Sequence, residues 1–405
     1  MAAAVPVGQD REAPGTAPVS RAEPGADRQF ALTTAQEALC DDVRALAAAE
    51  LVPLVGRSRP GEVNRPLLEA MGRAGLLARL FPTDVGGSQP EQVCSMELCL
   101  LRESLARVCT EAETALALQG LGTYPIVQSG SAELARRIVP RVARGEAVAA
   151  FALTEPEAGS DAGALQLRAD RVDGGYLLHG EKIWISNAPQ ADVYSVFART
   201  TPGTGSRGVT AFAVDGASRG LGGERLELVA PHPIGRLTFD GVFVPDDCVL
   251  GEVGHGFRVA MRTLDLFRPS VGAFAVGMAQ AALDIAVEHA GTRVAFGGPL
   301  RAMQGVSHQL AEMATRIEAA RLLVYAAAAA YDRGEPGVTK RAAMAKLLAT
   351  ETAQYVVDAA VQVCGARALQ RGHPLEHLYR EVRAPRIYEG ASEVQRTIIA
   401  RELYR

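Results

Sequence analysis

The sequence predicts an α+β multidomain chain in three parts: an N-terminal α-helical domain, a middle β-barrel domain and a C-terminal four-helix bundle. Three observations predict it. Apolar residues recur at helical spacing before about residue 146 and again after about 257. The stretch between is rich in β-branched and aromatic residues with partial period-two alternation. At 405 residues the chain is long enough to pack several layers around a substantial core.

Each part has its own texture. Residues 1–29 mix Ala, Pro and Gly with both charge signs and read as a disordered tail. They lack the apolar core of a signal peptide, and Asp10, Glu12, Glu23 and Asp27 argue against a mitochondrial transit peptide. Residues 30–146 form the helical domain, with Ala/Leu-rich stretches separated by breakers such as PTDVGGSQP (82–90). The middle domain, 147–257, holds VYSVFART, GVTAFAVDG, ERLELVA and RLTFDGVFV, and DGG at 173–175 reads as a hairpin turn. In the last part, 258–405, SVGAFAVGMAQAALDIAVEHAG is crowded with small residues, and Leu310, Met313, Ile317, Ala320 and Val324 recur at helical spacing. VTKRAAMAKLLATETAQYVVDAAVQVCG supplies a third long helix.

A formal net charge of −4 gives no electrostatic reason to expect a nucleic-acid partner. The six cysteines include no CxxC pair, which suggests reduced, mostly buried thiols and a cytoplasmic protein. The longest apolar run noted, LLVYAAAAAY at 322–331, is short of the ~20 residues that cross a bilayer, so no membrane span is expected.

Three stretches carry chemistry. FALTEPEAGSD (151–161) ends a strand in Thr154 and a Gly-Ser-Asp turn, where Gly159 has no side chain to block a ligand's approach. KIWISN (182–187) holds the only tryptophan, Trp184, with the Ser186 hydroxyl two residues on. Near the C-terminal end, RIYEGASEVQRTIIAREL places Glu389 just ahead of an expected helix. A carboxylate there either faces water and supports the helix dipole or is a base held in an apolar slot with a raised pKa.

TEPxAGSD followed by K-x-W-I-S-N resembles the flavin-binding middle domain of the acyl-CoA dehydrogenase family. LDLFRPSVGAFAVGMAQAAL (264–283) is similar to the family's LD-x-x-R helix, RVAFGGPLRAMQ (293–304) to its R-x-x-F-G-x-P-L-x-x-x-Q stretch, and IYEGASEVQRTIIAREL to its C-terminal signature. The likeness covers about residues 30 to 405. It implies FAD as cofactor and an acyl-CoA or acyl carrier protein thioester as substrate. Glu389 would take the pro-R α-proton while the β-hydrogen leaves as hydride to flavin N5. The implied enzyme is a homotetramer, a dimer of dimers, and an electron-transferring flavoprotein reoxidises its flavin.

The resemblance assigns residues one by one. Phe151, Leu153, Thr154, Gly159 and Ser160 line the isoalloxazine, and Ser160 also reaches substrate. Trp184 and Ile185 lie at the flavin, with Ser186 near N5. Asp265, Arg268, Tyr388 and Gly390 contact the acyl thioester. Arg293 and Gln304 reach the diphosphate–adenosine half from a neighbouring subunit. Some members carry the base just before the arginine of LD-x-x-R; here that place is Phe267, which accepts no proton, so Glu389 is the base the motif offers. Gln362, Gly365 and Ala366 match the Q-x-x-G-G-x-G stretch, with Ala366 and Ala368 in place of glycine. Ala391 and Glu393 stand where the family has Thr and Gln. The lost hydroxyl would remove a hydrogen bond to FAD of about 0.5–1.5 kcal/mol.

Two other readings belong to the same fold: a flavin oxidase or monooxygenase, and a degenerate non-catalytic homologue that binds acyl thioesters. GEVGHGF (251–257) imitates a phosphate loop but reads as the turn into the LD-x-x-R helix. In HPLEH (373–377) Pro374 interrupts the two histidines, and no metal site is expected. Glu111 and Glu113, in helices expected to flank the acyl pocket, are either surface charges or tuners of a polar acyl group.

Overall fold

The computed structural model describes residues 31–404, so the tail expected at 1–29 lies outside the described residues. Helices come first: α1 (Thr34–Leu46), α2 (Arg65–Arg73), α3 (Ser95–Val108), α4 (Thr110–Ser129) and α5 (Ala132–Ala143). Thr33, Asn64 and Ser131 start three of them, each side-chain oxygen accepting a backbone N–H from the first turn. Between α3 and α4 the extended backbone of Cys109 breaks the helical run.

The middle domain contains β1 (Ala149–Ala152), β2 (Arg168–Val172), β3 (Gly175–Ser186), β4 (Val193–Arg199), β5 (Val209–Asp215), β6 (Leu221–Arg225), β7 (Ile234–Pro245) and β8 (Val249–Leu250). They make one eight-stranded sheet in the order β6-β7-β3-β2-β4-β5-β8, with β1 beside β4. The hairpin expected at 173–175 joins β2 to β3 through Asp173 and Gly174. Strands β2 and β4 pair only at Arg168 and Arg199. The sheet therefore divides into two halves that fold over each other, with Tyr176 of β3 edge-on to Phe212 of β5 at 5.2 Å between centroids. Among the described residues no ladder joins β6 to β8, so the sheet stays open at those two edges. Helix α4 lies on this sheet, where Ser195 Oγ of β4 donates to the Gly122 carbonyl at 2.7 Å.

The C-terminal part begins with α6 (Gly256–Thr292) and a short hairpin of β9 (Val294–Ala295) and β10 (Gly298–Pro299). It continues with α7 (Gln304–Asp332), α8 (Val338–Cys364), α9 (Pro374–Glu381) and α10 (Ser392–Leu403). Met313, Ile317, Ala320 and Val324 are buried on α7, as their spacing predicts. On α8 the buried stripe of Ala342, Ala345, Ala349 and Ala353 faces the bundle core.

Helix α6 corrects one expectation. By length and composition it is apolar enough to cross a membrane, with a mean hydropathy of 1.5 over its most apolar stretch, and so exceeds the run at 322–331. Interspersed Gly272, Gly277 and Ser270 hide this apolar stretch from an eye scanning for unbroken aliphatics. Yet 72% of the stretch is buried inside the chain, which makes α6 the core helix of the bundle. At Gly277 a Cβ would lie 2.4 Å from the Glu103 carbonyl, so this glycine lets α3 press directly against α6.

Candidate active site

The turn that carries Glu389 is strained and firmly held. Glu389 has φ +50 and Gly390 φ +96, and left-handed backbone costs a non-glycine residue about 1–2 kcal/mol. Three buried side chains hold the turn's carbonyls. Arg268 Nε donates to the Glu389 carbonyl at 3.4 Å, and Gln395 Nε2 donates to those of Glu389 at 3.1 Å and Gly390 at 2.9 Å. Lys346 Nζ donates to the Gly390 carbonyl at 2.7 Å. On either flank Glu351 of α8 takes Arg386 Nη2 at 2.9 Å and Ser392 Oγ at 2.6 Å, pinning both ends of the turn to one helix.

The carboxylate itself is left free. Glu389 Oε2 is buried and has no hydrogen-bond partner among the described residues. Burial raises its pKa, while the charges of Arg102, Lys346 and Arg268 pull the other way. Nor, among the described residues, does any acceptor take the Glu389 backbone N–H. A buried carboxylate beside an unused amide, with cations around both, can remove a proton and steady the charge that results.

Helix α6 gathers the predicted thioester contacts. Arg268 is buried and bonds Asp265 Oδ1 at 3.2 Å, while Thr339 at the start of α8 donates to Asp265 Oδ2 at 3.0 Å. This pair is a part-buried brace behind the turn and not a surface salt bridge. Phe267 is buried with its ring 6.2 Å from Tyr124 of α4, and Gly120 leaves room for it. Tyr388 is half-exposed beside Glu389.

Of the residues assigned to the isoalloxazine, Trp184, Gly159 and Ser160 are exposed on the middle domain, and Phe151, Thr154 and Ser186 are half-buried. A register shift between Lys182 and Ile185 turns Trp184 outward at φ +58, leaving it 53% exposed. Gly159 and Ser160 are exposed at a loop tip where a Cβ on Gly159 would meet nothing within 4 Å. Beneath them the buried Glu155 carboxylate accepts from the Gln166 and Leu167 amides and from Lys182 Nζ at 2.7 Å. Burial lowers the Lys182 pKa to about 8, with Glu155 opposing. Ser186 Oγ is 2.8 Å from Nε2 of His232, whose pKa burial lowers to about 4. Leu153 and Ile185 instead point into the core. The exposed indole, the open glycine tip and the half-buried Thr154 hydroxyl are groups whose chemistry fits a planar ring.

The remaining predicted residues do not join this group. Arg293, Gln304, Gln362, Gly365, Ala366 and Glu393 are exposed, Ala391 is half-buried, and Ala368 is fully buried. Helices α6, α7 and α8 alternate in direction, so the C-terminal ends of α6 and α8 share one end of the bundle with the start of α7. The 373–377 histidines are otherwise engaged: Pro374 opens α9 instead of interrupting it, the His373 ring accepts the Leu375 amide, and His377 meets Thr110 Oγ1 at 2.7 Å.

Arg102, Lys346 and Gln395 were not foreseen, and Glu113 was left open. Glu113 is fully buried and takes Arg102 Nε at 2.5 Å; Arg102 Nη1 donates to Ser270 Oγ of α6 at 2.7 Å. Burial pushes the Glu113 carboxyl up to about 7 against the pull of Arg102. A signal existed for two of them. Lys346 falls in the alanine stripe of α8 four residues after Ala342, and Arg102 falls on the buried Leu98–Leu105 face of α3, where a solvated cation has no place.

Fold and site together define a three-part protein with a buried carboxylate held among cations beside an unused amide. The N-terminal, middle and C-terminal domain models of the acyl-CoA dehydrogenase family match residues 33–146, 150–242 and 254–404. The chain belongs to that family, whose members are flavoproteins. It is 35% identical over 90% of its length to a cyclohexane-1-carbonyl-CoA dehydrogenase of Geobacter metallireducens, spanning 96% of that protein. Its fold superposes on butyryl-CoA dehydrogenase from Megasphaera elsdenii with a TM-score of 0.88 at 35% identity, covering 93% of this chain and 100% of that one. The structure of PigA with FAD and proline gives a TM-score of 0.87 at 27% identity, covering 93% and 99% of the two chains.

Proposed function

We propose that this chain catalyses FAD-dependent α,β-dehydrogenation of an acyl thioester, on CoA or an acyl carrier protein, to the 2-enoyl thioester, with Glu389 as base. The observation that carries the reading is the buried, unpartnered Glu389 Oε2. It lies among three cations and beside an amide no acceptor uses.

Each residue then has a task. Glu389 Oε2 removes the α-proton. The Glu389 N–H donates to the thioester carbonyl, most strongly as enolate charge develops. Arg268, Gln395 and Lys346 hold the turn so that base and amide face the same slot, and Phe267 walls that slot against water. Trp184, Ser186, Thr154, Gly159 and Ser160 would hold the isoalloxazine of FAD. When bound, that group supplies the two-electron acceptor for the hydrogen lost from the β-carbon.

Length supports the site shared between subunits that the family resemblance implies. Arg293 lies 25 residues beyond Arg268 on or just past α6, about 37 Å along the axis at the helical rise. Contacts from Arg293, Gln304, Gln362 and Gly365 thus fit a neighbouring copy's FAD, within a homotetramer. An electron-transferring flavoprotein is the expected reoxidant. The intact base and its supports weigh against a degenerate homologue.

Glu389→Gln should purify with FAD and fail to bleach it anaerobically with any saturated acyl thioester. Bleaching at the wild-type rate would refute the base. Rapid turnover with oxygen alone would favour an oxidase.

A further inference from the structure

In the chemistry just described Arg102 enters only through its charge on Glu389, and its partner Glu113 has no task. Arg102 lies along one face of α6, bonded to Ser270 and with its guanidinium 5.9 Å from the Phe274 ring centroid. One turn earlier that same face carries Phe267, which packs on Gly120 and Tyr124 of α4. Glu113 projects from the first turn of α4 onto Arg102. Arg102 is also close enough for its charge to act on both Tyr388 and the Glu389 carboxylate. The pair therefore stands where α3 and α4 meet α6, almost fully buried and within electrostatic reach of the base.

Arg102 uses Nε on Glu113 and Nη1 on Ser270; among the described residues Nη2 donates to nothing. An alkyl chain seated against it would seal off a cationic donor without a partner, which is costly in a dry site. A carboxylate would meet Glu113 as well as Arg102. The pair is neutral overall with one donor spare, so it best fits an uncharged oxygen.

We propose that Arg102 and Glu113 form the distal wall of the acyl slot and select short acyl thioesters bearing an uncharged hydrogen-bonding oxygen, a hydroxyl or a carbonyl, away from the thioester. This rests on the dehydrogenase reading and names its substrate class. Arg102 is the donor to substrate; Glu113 is a positioning residue that orients and neutralises it.

The test is anaerobic flavin reduction and steady-state kcat/KM with ω-hydroxy, unsubstituted and ω-carboxy acyl-CoAs of matched chain length. The ω-hydroxy substrate should exceed the alkyl one by about 10- to 100-fold, the factor of a hydrogen bond to a charged donor. Glu113→Gln keeps the shape and an acceptor for Arg102 but leaves the cation unneutralised. It should shift preference toward the ω-carboxy substrate, an inversion that loss of packing alone does not produce. Equal or better use of the alkyl substrate by the wild type would overturn the proposal, as would a Glu113→Gln variant that loses all three substrates in proportion. If no acyl thioester of any class reduces the flavin, the dehydrogenase reading fails with it; if all three do so equally, only the selectivity fails.

Discussion

Lys346→Met removes one cation and one charge-assisted hydrogen bond from behind the Glu389 turn while keeping a long apolar stem. Lys346 is fully buried, and its Nζ donates to the Gly390 carbonyl at 2.7 Å. A hydrogen bond to a charged group contributes about 1.5–3 kcal/mol, and the change in side-chain volume is small. At neutral pH the desolvation of the buried ammonium, which Met does not incur, offsets part of that loss, so the variant should be destabilised by less than that amount.

Two pH effects follow with definite signs. Burial lowers the Lys346 pKa to about 8 from 10.5, with Glu389 and Glu351 opposing. Across that window the folded chain binds fewer protons than the unfolded one, so wild-type stability gains a rising contribution from about pH 8 to 10.5 that the variant lacks. Below pH 8 the charged lysine lowers the Glu389 pKa, so its removal must raise that pKa further. The acid limb of kcat/KM, set by the fraction of ionised base, should move to higher pH in Lys346→Met. Denaturant unfolding at neutral and alkaline pH and a pH–rate profile with one acyl-CoA measure both. An unchanged acid limb together with an unchanged unfolding midpoint would refute the role given to this lysine.

Other perturbations test the supports around the site. Gly277→Ala puts a Cβ 2.4 Å from the Glu103 carbonyl, so α3 must move off α6 at a cost of about 1–3 kcal/mol, read as a lower unfolding midpoint. Lys182→Met strands a buried carboxylate at Glu155, typically worth about 3–5 kcal/mol; the 155–167 loop should loosen and the FAD-to-protein ratio fall on gel filtration. Mixed oligomers of Arg293→Ala and Glu389→Gln chains should regain activity that neither variant has alone, since one site per mixed pair then holds both native residues. No regain on mixing would place the Arg293 contact within one chain.

Much of this was legible because it is local in sequence. Helical spacing on α7 and the 173–175 hairpin each depend on neighbours a few residues apart. Glu389 and Trp184 were found because their motifs are contiguous, although the bulge that turns Trp184 outward has no composition signal. The residues that set the base's environment were missed for the opposite reason. Lys346 and Gly390 are 44 residues apart, and Arg102 and Ser270 are 168 apart. No periodicity couples such positions. A charge on an otherwise buried helix face was the one available hint, and only the fold says what it faces.

The distribution of cations explains how a buried glutamate can serve as a base at all. Burial by itself favours the protonated acid, which takes no proton from carbon. Lys346 and Arg268 address the backbone carbonyls of the Glu389 turn directly, while Arg102 acts on the carboxylate from a different helix and is already neutralised by Glu113. The first two are thus fixed parts of the turn, present whatever substrate arrives. The influence of the third depends on its partner, because protonating Glu113 near pH 7 leaves Arg102 unopposed and so favours ionisation of Glu389. Base strength and acyl recognition therefore share one guanidinium, and a substitution at Glu113 that alters substrate preference must also move the pH at which Glu389 works.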